Sequence, residues 1–193
     1  IPASAKTALA GHWMPGPGQD FFRLAARRLK QLSLIAEDLG EITPDTRETM
    51  ATFGIPGVRP LTFAFDENLP LSPFAPHNMD RNMVVYTSTH DANPLRGWFE
   101  TEASPKQKQL LSHYLGRKIT VETAAPALIQ MAMMTVADTV ILPLQDVLGL
   151  GAEARMNRPG THKGNWIWRH SDESLTPQLA ARLAGWTELY GRG

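Results

Sequence analysis

The sequence predicts an α/β protein with a mainly parallel sheet, on three observations. Four short apolar or β-branched runs alternate with helix-length segments, the order that builds right-handed βαβ units. Two of those runs end abruptly in charged residues, Glu37-Asp38 and His90-Asp91. No G-x-G-x-x-G and no P-loop pattern follows any run, so nucleotide-binding α/β folds lose their main support. Four such strands fit either an open sheet or half of a closed barrel.

The elements follow in order. The first twenty residues hold Gly11, Pro15, Gly16, Pro17 and Gly18 and read as an irregular surface loop. Asp20 is expected to cap a helix over 21–30 with an apolar side of Phe22, Ala25, Ala26 and Leu29. Residues 32–36 form the first apolar run, ending in Glu37-Asp38-Leu39-Gly40. Thr43-Pro44 opens a helix as N-cap and first helical residue, and Gly54 stops it. The second strand is expected over 58–65, followed by a Pro-rich loop over 66–82. The third, 83–89, is β-branched and bounded by polar residues. Helices over 105–115 and 123–134 precede a fourth strand at 139–142. A long loop spans 149–165, and a closing helix begins at Ser174 or Thr176 and reaches Tyr190.

Composition narrows the function. Lys and Arg total 19, and so do Asp and Glu, for a formal net charge of zero. A nucleic-acid binder needs a surplus of basic residues on one face, so an uncharged polymer fits better. There is no cysteine, which excludes disulfides and thiolate zinc sites and suits a cytoplasmic protein. The most apolar region, 124–144, is broken by Pro126, Gln130, Asp138 and Pro143, so no membrane span is expected. The histidines form no metal-ligand spacing, and neither metal nor cofactor is expected. The chain opens on Ile1 without a signal-peptide pattern and reads as a fragment of something longer.

The two strand-end dipeptides carry the chemistry. In a barrel, residues just past the C-terminal ends of strands face one shared bowl. Two carboxylates there suit glycoside chemistry, in which one donates a proton and the other stays ionised beside an oxocarbenium-like sugar. Taken alone, each dipeptide reads equally well as a turn, a helix cap or a structural hydrogen-bonded pair. Trp13, in the Gly/Pro loop, reads either as a sugar-stacking residue or as a loop anchor. Trp98, Trp166 and Trp168 read as core or barrel-edge packing residues, and Met131, Met133 and Met134 as core filling.

Longer motifs decide between these readings. Ile35-Ala36-Glu37-Asp38-Leu39-Gly40, Val84-Val85-Tyr86-Thr87-Ser88-Thr89-His90-Asp91 and Arg155-Met156-Asn157-Arg158-Pro159-Gly160-Thr161 resemble the amylomaltase (4-α-glucanotransferase, disproportionating enzyme) family. So do Ile1-Pro2-Ala3-Ser4, Pro143-Leu144-Gln145-Asp146 and Gly164-Asn165-Trp166, in the family's order across nearly the whole chain. The resemblance implies the C-terminal half of a (β/α)8 TIM barrel, strands five to eight, as one partial catalytic domain over 1–193. It implies a retaining transferase that moves α-1,4-glucan segments to the 4-hydroxyl of an acceptor. By motif match Glu37 is the general acid/base and Asp91 the carboxylate that stabilises the transition state. His90 is implied to hydrogen-bond the same sugar, Asp38 to sit on the acceptor side, and Asn157 to line the donor groove.

Two departures stand out. The family's nucleophilic Asp lies in an Arg-Ile-Asp-His-Phe-Arg-Gly motif shortly before the Ile-Pro-Ala-Ser segment, hence upstream of Ile1. Ala92 stands where the family usually has Asn after His-Asp. Without the nucleophile the isolated chain is expected to be inactive, a half barrel that only binds glucan or is purely structural, with edges open to self-association. Hydrolysis of α-1,4-glucans is the other alternative, because carboxylates alone do not choose between water and sugar as acceptor.

Overall fold

The computed structural model describes residues 1–9, 11–30 and 32–193. They form two compact units, 1–55 and 56–193.

Unit 1–55 holds two helices. Helix α1 spans Gly18–Leu29, with Pro17 at the cap position and no side-chain cap. Asp20 therefore sits inside the first turn instead of capping it. There its carboxylate meets the positive end of the helix dipole and accepts from Arg23 at 2.8 Å. Helix α2 spans Pro44–Thr52 as expected, with the Thr43 hydroxyl accepting from the Thr46 amide. Gly54 takes φ +62° just beyond it, the left-handed conformation that ends a helix. Phe22 and Phe53 stack at 5.3 Å. The first expected strand does not form; only Ala36 makes an isolated bridge. Leu34 is 39% and Ile35 52% exposed, so the run lacks the burial that holds a strand in a parallel sheet. Among the described residues of this unit only Ile55 is buried.

Unit 56–193 is built on three parallel strands, β1 (Gly57–Pro60), β2 (Met83–Tyr86) and β3 (Thr139–Ile141), in the order β1-β2-β3. Val58 faces Val84, and Val84 faces Thr139. These are the second, third and fourth expected strands, each shorter than anticipated. Strand β1 stops at Pro60, which has no amide hydrogen to extend the ladder, and a 3-10 turn follows at Leu61–Phe63. Val84 and Val85 are fully buried, as a parallel sheet covered on both faces requires.

Helices supply the cover. Helix α3 (Leu95–Gly97) runs directly into a π-turn at Trp98–Glu102. Helix α4 (Pro105–Tyr114) starts from a capping box in which Ser104 and Gln107 satisfy each other's amides. Helix α5 (Val121–Met134) begins two residues earlier than the sequence suggests, because the Thr123 hydroxyl accepts from the Thr120 amide at 2.8 Å. Its Ala124, Ala127, Leu128, Ile129 and Met131 are buried. Each of the large ones contributes roughly 1.5–3 kcal/mol. Met131 and Met133 fill the core as expected, whereas Met134 is 59% exposed. Helix α6 (Leu144–Val147) follows β3, and α7 (Pro177–Leu189) closes the unit with Thr176 as its N-cap. Among the described residues, no helix is long and apolar enough to cross a membrane.

Arg192 locks the turn between α5 and β3. It donates to the carbonyls of Met133 (2.8 Å), Ala137 (2.9 Å) and Thr135 (2.6 Å). These carbonyls have few other donors at a helix end, and a cation there also complements the dipole. Arg192→Ala is expected to lower unfolding stability by about 2 kcal/mol. An unchanged urea midpoint would show that water replaces the guanidinium without loss.

Candidate active site

The site grows from the end of the central strand. After Tyr86 the chain leaves β2, and the side chains of two consecutive residues converge. The Thr87 and Ser88 hydroxyls both donate to Asp146 Oδ2, each at 2.6 Å. Neighbouring residues of a regular strand point to opposite faces, so this convergence marks where the strand stops. The other oxygen, Asp146 Oδ1, accepts from the Leu95 amide at 2.7 Å. One buried carboxylate thus pins both ends of the 87–95 loop. Burial holds the Asp146 carboxyl above its ordinary range, and the donors from Ser88, Thr87 and Leu95 oppose that rise.

His90 and Asp91 sit on this loop. His90 Nε2 lies 3.3 Å from Asp91 Oδ1, and the Asn157 side-chain amide donates to the same oxygen at 2.5 Å. The Asn157 backbone amide donates to the His90 carbonyl at 3.0 Å. The 155–157 segment therefore runs alongside 90–91 and is fastened to it at backbone and side chain.

Arg155 supplies the fastening. Its guanidinium donates to the Asp91 carbonyl (2.7 Å), the Asn157 carbonyl (2.9 Å) and Glu102 Oε1 (3.1 Å). Glu102 also accepts from the Asn93 side-chain amide at 2.9 Å. The π-turn delivers Glu102 to this position, closing with the Ala103 amide on the Trp98 carbonyl at 2.8 Å. Gly97 makes room for the incoming segment: a Cβ there would lie 2.7 Å from the Ala152 nitrogen.

Beside the cluster is a cavity of about 240 Å³. Tyr86, Pro94, Pro143, Met156 and Trp166 give it apolar walls, and Ser88, Thr89, His90 and Gln145 give it polar ones. Ala92 lines it too. Asp91, with its side chain 45% exposed, is not part of the cavity wall.

Of the residues chosen from sequence, His90, Asp91 and Asn157 come together. Glu37, Asp38 and Trp13 belong to unit 1–55. Glu37 is exposed and directly follows the Ala36 bridge, the Asp38 amide donates to the Ala36 carbonyl at 3.0 Å, and Trp13 is 85% exposed. Trp98 is buried as expected, whereas Trp166 is 57% exposed and lies outside the core. Arg155 and Asp146 lie within family-like motifs but carry no role legible from them, because partners 50 or more residues away are invisible to spacing. Glu102 gave no signal at all.

The family profile described as 4-alpha-glucanotransferase matches residues 1–176. A 4-alpha-glucanotransferase of Synechocystis is 44% identical over all of this chain, which covers 38% of that protein. One from Thermus thermophilus is 42% identical over all of this chain, covering 39% of that protein. An amylomaltase from Streptococcus agalactiae, solved in complex with acarbose, superposes with a TM-score of 0.91 at 35% identity, over 99% of this chain and 38% of that one. The chain thus spans under two-fifths of the length of these curated relatives.

Proposed function

The chain belongs to the 4-alpha-glucanotransferase family, and on that premise we propose that it is part of a retaining enzyme that transfers α-1,4-glucan segments to the 4-hydroxyl of another sugar. One observation carries the reading: His90, Asp91 and Asn157 form a single hydrogen-bonded cluster, clamped by Arg155, at the end of the central parallel strand. Strand ends of this kind are where barrel enzymes keep their chemistry. In this reading the 193 residues are the C-terminal half of a (β/α)8 barrel.

The reaction then divides between the residues. Glu37 gives its proton to the glycosidic oxygen as the C1–O bond breaks, and a carboxylate nucleophile outside these residues takes C1 as an ester. Asp91 accepts from the 2- and 3-hydroxyls of that sugar as positive charge develops on it. Asn157 holds the Asp91 carboxylate in place, and His90 hydrogen-bonds the same ring. In the second half the acceptor's 4-hydroxyl attacks C1, the ester bond to the nucleophilic carboxylate breaks and frees it, and the hydroxyl proton passes to Glu37. Asp38 lies toward the acceptor, and Trp13 offers its exposed ring to the chain. The acarbose complex of the Streptococcus agalactiae relative supports a sugar ligand.

Maltotriose is the test substrate. The full-length protein is expected to convert it into a ladder of longer and shorter maltooligosaccharides, with new long chains exceeding net hydrolysis. The 193-residue chain alone is expected to make no ladder, since the retaining route needs the nucleophile. Net hydrolysis in place of a ladder would move the assignment to a hydrolase.

A further inference from the structure

Trp166 combines three features that packing does not account for. Its φ is +61°, in the left-handed region that a bulky side chain rarely enters. Its side chain is 57% exposed, so burial does not offset that conformation. Its ring stacks on His90, centroids 5.3 Å apart and tilted by 34°, and forms one wall of the cavity. The backbone holds it there through the Trp166 amide, which donates to the Met156 carbonyl at 2.7 Å.

Strained backbone that the surroundings over-determine is a mark of ligand clamps. The chemistry of the cavity says which ligand. The pyranose ring of glucose has apolar C–H faces and a rim of hydroxyls. The cavity matches that division, with Trp166, Tyr86, Met156 and two prolines against the faces and His90, Gln145 and Ser88 toward the rim. A volume of about 240 Å³ lies below the roughly 300 Å³ at which pockets for drug-sized ligands begin, which suits one ring better than a chain.

We propose that Trp166 is a substrate-stacking residue that takes the apolar face of one glucose ring of an α-glucan beside His90. The proposal rests on the glucanotransferase reading. The test uses W166F, W166A and W166G in the full-length protein, with steady-state transfer from maltotriose and thermal denaturation. W166A and W166G are expected to raise KM about tenfold, and W166F to stay within about threefold of wild type. W166G is expected to unfold at or above the temperature of W166A, since glycine bears no penalty at positive φ. Unaltered KM in W166A and W166G overturns the proposal, as does a fall in kcat that merely tracks lost thermal stability. The two readings fail separately. Wild-type protein without transfer overturns the family activity, whereas intact transfer with unaltered KM in W166A overturns the role of Trp166 alone.

Discussion

Glu37→Gln is expected to lower kcat for transfer from maltotriose by about 10²–10⁴-fold, the usual yield of a positioned general acid. Gln matches Glu in shape but has no proton to give to the leaving oxygen. The loss should therefore depend on the leaving group. With an α-maltosyl fluoride donor, whose fluoride departs without protonation, formation of the glycosyl intermediate should be far less affected. Asp91→Asn should impair both donors alike, because under the proposed mechanism the charge Asp91 stabilises develops on the sugar whichever group leaves. Its contact with the Asn157 amide at 2.5 Å is one an amide oxygen also accepts, so the loss would be of charge and not of shape. Glu37→Gln with near-wild-type maltotriose turnover would remove Glu37 from the acid/base role.

The second large effect is expected at Asp146. Asp146→Ala leaves the Thr87 and Ser88 hydroxyls and the Leu95 amide without their acceptor in a buried setting. Water can reach little of it, and the expected cost is about 3 kcal/mol of unfolding stability. Transfer should fall as well, because the loop carrying His90 and Asp91 loses both of its fixed ends. Asp146→Asn should be milder, since rotated hydroxyls can accept from the new amide. It also isolates a pH effect. Burial raises the Asp146 carboxyl pKa in the folded chain, so the folded state binds that proton more tightly than the unfolded one. The resulting stabilisation is complete below the unfolded pKa of about 3.9 and is lost as pH rises through the folded value. Wild-type stability measured against D146N should therefore decline from about pH 4 towards neutrality. Urea midpoints of the two proteins across that range check it, and a wild-type advantage that grows with pH would show that the hydrogen bonds outweigh burial.

The sequence made the parallel α/β architecture legible because its signals were local. Thr43-Pro44 capped a helix and Gly54 ended it. The β-branched run after Asn82 became the central strand. Where burial decides, the sequence misled: 32–36 looks like a buried strand, yet Leu34 and Ile35 are exposed. The candidate site was half legible. His90, Asp91 and Asn157 were found through motif context, and the structure brings them into one cluster. Arg155, Glu102 and Asp146 were not found, since each acts through a partner distant in the chain. Trp166 reads as packing from sequence because composition says nothing about φ.

The π-turn at Trp98–Glu102 also limits how the chain can change in length. A π-turn is an α-helical turn carrying one additional residue. Deleting any one residue between 98 and 102 would let an ordinary helical ladder close, and each residue step swings side chains by about 100°. Glu102 would then leave Arg155 and Asn93, and the clamp on Asp91 would open without any substitution near it. Insertions and deletions among homologues should skip the π-turn, so that the reading frame of one short helix, counted in residues, guards the geometry of a carboxylate on another segment.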